Sequence, residues 1–239
     1  MNGEIIFPSG KSGIKKGQLD LSINESGVDK QVGTESKKVV LFVFGGAADA
    51  EPYYTEGPNW NCAPIYNKVV DEYTYNTKLG VFIHKYYAYN MAKGDSDIKI
   101  IKDLIPDRET SVYIIGHSLG GWNGAHLSQI LTDDGYNIAM LVTLDPVGEG
   151  FLVWLGSDIY FSEPEPKAKK WINIRAAPSS PDGSDDVADF GERWIVTSGP
   201  NVNETIDENH RFADRIFFKE LSDKKSAFDH VKESIDSLL

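Results

Sequence analysis

The sequence predicts an α/β domain: a mainly parallel, doubly wound sheet flanked by helices. Three observations carry that expectation. Short, continuous apolar runs of strand length recur along the chain, as strands buried on both faces require. Between them lie segments whose apolar residues repeat at helical spacing. Runs of the two kinds alternate, which is the pattern of strands joined in parallel through helical crossovers.

Each element follows in order. Residues 1–37 are rich in Gly, Ser, Lys and Asp with weak periodicity, and read as an irregular lead-in with a short hairpin around Glu4–Phe7 and Gln18–Ile23. The domain proper runs over 38–239. Val39–Phe44 is the first buried strand, and Ala63–Asn76 a helix with Ile65, Val69, Val70 and Tyr73 on one side. Gly80–Ile83, extended to Tyr87, is the next strand, and Asp97–Leu104 a helix that stops before Pro106. Val112–Ile115 is a short strand, followed by a helix over Leu119–Thr132 closed by Gly135. Ile138–Leu144 and Trp171–Ala176 are further strands. Ser162–Lys170, with Pro164 and Pro166 among charged residues, is an exposed insertion. Ser222–Leu239 is an amphipathic helix, with Ala227, Phe228, Val231, Ile235 and Leu238 at helical spacing.

Composition narrows the functional classes. A chain of 239 residues fits one α/β domain, since such domains reach roughly 200–250 residues. The net charge of −12 repels phosphate backbones and anionic membrane faces, which argues against nucleic-acid binding. It leaves a lipid substrate open, because interfacial enzymes touch membrane surfaces transiently through apolar loops. The single cysteine, Cys62, excludes an internal disulfide and reads as a small packing residue. Met1–Pro8 has neither a basic start nor a long apolar run, so no signal peptide is expected, and the protein is expected to be made in the cytoplasm. No run of about 18 apolar residues suggests a membrane span.

The chemistry concentrates where Val112–Ile115 runs into Gly116-His117-Ser118-Leu119-Gly120-Gly121 and a helix follows. A serine on such a strand-to-helix turn occupies a strained backbone position with Oγ above the sheet. The flanking glycines avoid collisions with the neighbouring strand and helix. The helix N-terminus adds positive charge near the reacting centre. The alternative is a Gly-rich turn whose serine merely caps the helix. This segment resembles the nucleophile elbow of α/β-hydrolase lipases and esterases. The resemblance implies the α/β-hydrolase fold and a nucleophilic Ser118. It gives His117 no catalytic role, and His117 reads as packed beside the site.

A serine needs a histidine to accept its proton and a carboxylate to hold that histidine, and in this fold the chain order is Ser, acid, His. The strand Leu141–Leu144 ends in Asp145-Pro146, which resembles the strand-end Leu-Asp-Pro of pancreatic-type lipases. Many related hydrolases place the acid one strand later, which here would be Asp182, Asp185 or Asp186. Asp145 is preferred, because a buried strand leading into Asp-Pro fixes a carboxylate better than a Gly/Ser/Asp loop does. Among the five histidines, His84, His117 and His126 precede Asp145 and break the order, and His230 lies on the last amphipathic helix. His210 remains, in a loop entering a helix, and Asn209-His210 resembles the catalytic-histidine segment of pancreatic-type lipases.

The oxyanion hole is expected to use the N–H of Leu119 and that of Gly46 or Ala47, in the glycine loop after Val39–Phe44. Tyr53 and Trp60, straight after that loop, are expected to shape the substrate site, as are Phe151 and Trp154 in the apolar run Phe151–Leu155. That run reads either as a lid or acyl-binding wall, or as a short buried element closing the core. The histidines lack zinc spacing, Asp182–Asp189 matches no calcium loop, and no phosphate loop or dinucleotide fingerprint occurs. Neither a metal nor a cofactor is therefore expected.

The expected function is a serine ester hydrolase, a lipase, phospholipase or esterase acting on a lipid or another apolar acyl ester through Ser118, His210 and Asp145. A thioesterase or amidase could use the same triad, and a non-catalytic binding protein could retain the fold. A compact lipase-like chain without a signal peptide is also similar to the phospholipase effectors that bacteria deliver by contractile injection. That resemblance rests on architecture, and it implies export by a signal-peptide-independent route and an inhibitory or delivery protein partner.

Overall fold

The computed structural model describes residues 37–239. The expected hairpin around Glu4–Phe7 and Gln18–Ile23 lies outside the described residues, and of the lead-in only Lys37 is described, at the start of the first strand. The elements run β1 (Lys37–Phe44), α1 (Ala63–Tyr73), β2 (Leu79–Tyr87), α2 (Asp95–Asp103), β3 (Ser111–His117), α3 (Leu119–Asp133), β4 (Asn137–Leu144), α4 (Phe151–Gly156), β5 (Trp171–Ala176), α5 (Gly183–Phe190), β6 (Val202–Ile206), α6 (Ala213–Phe218) and α7 (Ala227–Asp236).

The six strands form one sheet in the order β2-β1-β3-β4-β5-β6, and every pairing is parallel. Side-chain alternation along the strands divides the core into two layers. Val39, Leu41 and Val43 of β1 face the layer that holds Ile65 and Val69 of α1, Phe217 of α6 and Val231 of α7. Val40, Phe42 and Phe44 face the other layer, with Ile101 of α2 and Trp122 and Leu127 of α3. A strand covered on both faces must be apolar at every position, which is why β1 and β3 read as continuous runs.

The chain leaves β1 for β2 on one side and returns to place β3 on the other. The loops after β1 and β3 therefore diverge at the carboxyl edge, the switch point where ligands bind in open parallel sheets. This is the α/β-hydrolase fold.

Two expectations are corrected. Asp182–Asp189, read as an Asp-rich loop, is the start and body of α5. Asp182 caps that helix by accepting the Ser184 N–H at 2.8 Å, and Asp185 returns the bond by accepting from the Asp182 N–H at 3.0 Å. This reciprocal capping box uses aspartate where glutamate is usual, so its signal is easily taken for turn chemistry. At the C-terminus, Ser222–Lys225 is a turn, and the helix begins after the Ser226 cap. The strand β6 has alternating exposed and half-buried residues, as an edge strand does, and its sequence carries no apolar run. Among the described residues, no helix is long and apolar enough to cross a membrane.

Candidate active site

Ser118 sits between β3 and α3 with φ at 56°, a left-handed conformation that side-chain-bearing residues rarely adopt. The turn is tight enough that a Cβ on Gly116 would lie 2.2 Å from the Gly120 carbonyl oxygen. The Ser118 side chain makes no capping bond to α3. Its Oγ instead lies 3.0 Å from His210 Nε2. The other ring nitrogen of His210, Nδ1, is 2.6 Å from Asp145 Oδ2. The structure thus brings Ser118, His210 and Asp145 together at the carboxyl edge, although the first and last partners are 92 residues apart in the chain.

Each of the three is held from behind. The Ser118 N–H donates to the Leu144 carbonyl at 3.0 Å, and the Asp145 N–H to the Ile174 carbonyl at 2.7 Å. Asp145 also has a left-handed φ, 41°, and is fully buried. Its Oδ1 accepts the Ala176 N–H at 3.0 Å, and its Oδ2 accepts from Arg193 Nε at 2.9 Å. Burial alone would push the Asp145 carboxyl up, but hydrogen bonding and charge from His210 and Arg193 outweigh it and hold the group below the usual carboxylate range. The His210 N–H donates to Asp185 Oδ1 at 3.1 Å, and the His210 carbonyl accepts from His117 Nε2 at 2.8 Å.

His117 is packed beside the site, as the sequence suggests. Its ring lies 4.7 Å from that of His210, and burial pushes its pKa down to about 3, so it stays neutral. The other histidines are spent elsewhere: His84 on the Tyr66 hydroxyl, His126 on the Ser162 carbonyl and His230 on Lys170.

Leu119 opens α3, so its N–H has no partner within the helix and is free for an oxyanion beside Ser118. Gly46 lies so close that a Cβ there would stand 2.7 Å from Ser118 Cβ. Ala47, the next residue, lines both cavities that meet at Ser118. Gly46 and Ala47 therefore both lie beside Ser118, with nothing to separate them as oxyanion candidates.

One of those cavities is apolar and about 370 Å³ in volume, walled by Leu119, Val147, Leu152, Val153, Val187 and Ala188. The other, about 550 Å³, is lined by His210 and by polar groups that include Glu56, Asn59, Asn61, Ser184 and Arg211. Tyr53 lines both, and its hydroxyl bonds the Ser157 hydroxyl at 2.7 Å, tying the loop after β1 to the end of α4.

Three expected wall residues line neither cavity. Trp60 packs against the Tyr86 ring at 5.9 Å on the outer side of its loop, because α1 starts just after it and turns the chain away. Trp154 is turned back by its Nε1–H bond to the Gly148 carbonyl at 2.6 Å. Phe151 projects outward and is exposed. The run is a helix with one buried face: its neighbours Leu152 and Val153 make the wall, while Phe151, Leu152 and Leu155 give an exposed apolar rim. That arrangement matches the lid or wall alternative better than a core element.

The described residues also bring together Asp49, Cys62 and His117, whose donor atoms lie within 4.8 Å of one another. This donor set could receive a metal ion, and no motif spacing announces it. The Asp49 carboxylate is already engaged, accepting from the Cys62 N–H at 3.2 Å and from the Tyr86 hydroxyl. Cys62 is otherwise the buried packing residue expected of it. Of the loop acids, Asp182 caps α5 and Asp186 is exposed, whereas Asp185 is buried behind His210. Arg193 is the residue that sequence reasoning missed. The spacing Asp185, Asp189, Arg193 is a weak signal for it, because α5 ends at Phe190 and Arg193 lies beyond the helix.

No protein-family model matches the chain, and no curated protein matches it. Among solved structures, the chain is similar to a protein described as a hydrolase of the alpha/beta superfamily from Xanthomonas campestris pv. campestris, with 12% identity, 73% of this chain and 90% of that one covered, and a TM-score of 0.40. It is also similar to YbtT, a type II thioesterase from the yersiniabactin NRPS/PKS biosynthetic pathway, with 10% identity, 84% and 94% covered, and a TM-score of 0.44. Similarities of this size say nothing of substrate.

Proposed function

We propose that the chain is a serine hydrolase that cleaves esters of apolar acyl groups, lipids among them. The observation that carries this reading is a serine Oγ 3.0 Å from a histidine held by a buried carboxylate, at the mouth of an apolar cavity. In the proposed reaction Ser118 Oγ attacks the acyl carbonyl while His210 Nε2 takes its proton, and Asp145 stabilises the resulting imidazolium. The oxyanion rests on the Leu119 N–H and on that of Gly46 or Ala47. His210 then returns the proton to the leaving alcohol, and water hydrolyses the acyl-enzyme by the same relay in reverse.

The two cavities divide the substrate. The departing oxygen must lie within reach of His210 Nε2, and His210 lines only the larger cavity of this pair, so the alcohol occupies that side. The acyl chain then takes the smaller side, walled by Leu152, Val153, Val187 and Ala188. The exposed rim of Phe151, Leu152, Leu155, Phe161 and Phe190 suits contact with a lipid surface despite the acidic chain. Labelling with a fluorophosphonate, followed by turnover on matched ester, thioester and amide substrates, tests the reading. A wild-type chain that neither labels nor turns over any of them refutes it.

A further inference from the structure

One buried cation touches the relay without being part of it. Arg193 lies three residues beyond α5, where its backbone pairs antiparallel with Val147 and the next N–H, of Trp194, donates to the Pro146 carbonyl at 2.8 Å. Its position is thereby fixed against the segment that carries Asp145. Its side chain is only 7% exposed. Nε donates at 2.9 Å to Asp145 Oδ2, the same oxygen that faces His210 Nδ1. Nη2 donates at 2.7 Å to Asp185 Oδ1, the same oxygen that accepts the His210 N–H. Nη1 reaches Asp189. One guanidinium therefore grips both carboxylates that hold His210, one through its ring and one through its backbone.

We propose that Arg193 is a positioning residue of the Ser118–His210–Asp145 relay, clamping Asp145 and Asp185 in register and offsetting the negative charge that faces His210. The inference rests on the hydrolase reading of Ser118. Its electrostatic part follows from the shared oxygen. A fixed cation on that same oxygen offsets the carboxylate charge where it meets the ring, and removing the cation leaves that charge uncompensated. The other groups facing His210 do not replace this effect. His117 is neutral, Ser118 carries no charge, and the Arg211 guanidinium is exposed and paired with Asp182 at 3.1 Å.

The geometric part requires arginine in particular. Only a planar fork with several donors reaches two carboxylates at once, whereas a lysine delivers its charge to one point. The helix that supplies Asp185 and Asp189 also lines the apolar cavity through Val187 and Ala188, so the substrate wall and the relay share one support.

The test measures kcat and KM for a p-nitrophenyl ester against pH in the wild type, Arg193→Gln and Arg193→Lys, with thermal melting of each. In Arg193→Gln, kcat should fall about 10-fold or more with KM within a few-fold, as expected for a misplaced relay. The acid limb of kcat/KM should move up by about 1 pH unit, the size of effect expected from removing a nearby charge. Arg193→Lys should keep the limb near its wild-type position while losing part of kcat. A folded Gln variant with unchanged kcat and an unmoved limb overturns the proposal. Should the Gln variant fail to fold, the Lys variant decides: reduced kcat at an unmoved limb supports the clamp, and wild-type kcat overturns it. A wild type without turnover or fluorophosphonate labelling overturns the hydrolase reading itself, which is a distinct result.

Discussion

Replacing Ala188 by leucine puts the division of the two cavities to a quantitative test. Ala188 is buried on α5 and lines the smaller cavity, but not the one that His210 lines. The substitution sets an isobutyl group in place of a methyl in a space of about 370 Å³. Suppose the added carbons displace about three methylenes of a bound acyl chain, each worth about 0.8 kcal/mol on burial. The loss is then about 2.4 kcal/mol, or about 60-fold in kcat/KM, for chains long enough to reach that wall. A butyrate ester stays near Ser118 and should lose little. The assay is the ratio of kcat/KM for p-nitrophenyl decanoate to that for the butyrate, which should fall by about 10- to 60-fold. Overpacking would itself cost about 1–3 kcal/mol of stability, so a melting curve accompanies the kinetics. An unchanged ratio in a folded variant would place the acyl chain elsewhere. An equal loss on both substrates would mean that α5 had shifted the relay rather than filled the cavity.

Three further outcomes follow from the site. Ser118→Ala should abolish fluorophosphonate labelling and turnover at an unchanged fold, and full activity in that variant would remove Ser118 from the mechanism. Asp145→Asn should cost at least about 10²-fold in kcat, allowing for less than the loss known for a serine triad, while exposed Asp186→Asn should stay within a few-fold of wild type; the reverse ranking would move the acid to α5. Asp182→Ala removes the cap of α5 and should lower stability by about 1 kcal/mol, read as a drop of about 2–4 °C in Tm; an unchanged Tm would show that packing alone holds the helix.

The parts of the architecture legible in the sequence are those fixed by local chemistry or by double-sided burial. β1 is apolar from Val39 to Phe44 and β3 from Val112 to Ile115 because helices cover both faces, and Gly116, Ser118 and Gly120 mark a turn that few other residues can make. Asp145 was legible because a buried strand delivers it to the sheet edge. The rest depends on contacts between distant segments. β6 is an edge strand with polar alternation, so nothing in Val202–Ile206 separates it from a loop until β5 pairs with it. Trp60 and Trp154 carry the composition of a substrate wall, yet a ring contact to Tyr86 and a bond to the Gly148 carbonyl decide which way they point. Asp185 looked like one of several interchangeable loop acids. Its role comes from Arg193, which reaches it across a turn that spacing alone did not single out.

The distances within the relay follow from sheet register more than from the loops that carry it. Each strand exit is tied to the end of the next strand. The Gly45 N–H donates to the Tyr87 carbonyl of β2, the Ser118 N–H to the Leu144 carbonyl of β4, the Asp145 N–H to the Ile174 carbonyl of β5, and the Ala177 N–H to the Ile206 carbonyl of β6. The nucleophile and the acid are thus successive steps of one staircase from β3 to β6, the oxyanion loop is tied the other way to β2, and His210 enters just past the last step. A slip of one residue between β3 and β4 would turn a whole strand over and carry Asp145 away from His210. The left-handed conformations at Ser118 and Asp145 each cost on the order of 1–3 kcal/mol, and they persist because these cross-strand bonds leave the backbone no other path. The strain is therefore set by the sheet. Activity should accordingly respond to substitutions at the buried ends of β4 and β5, such as Leu144 and Ile174, even though neither side chain lines either cavity at Ser118.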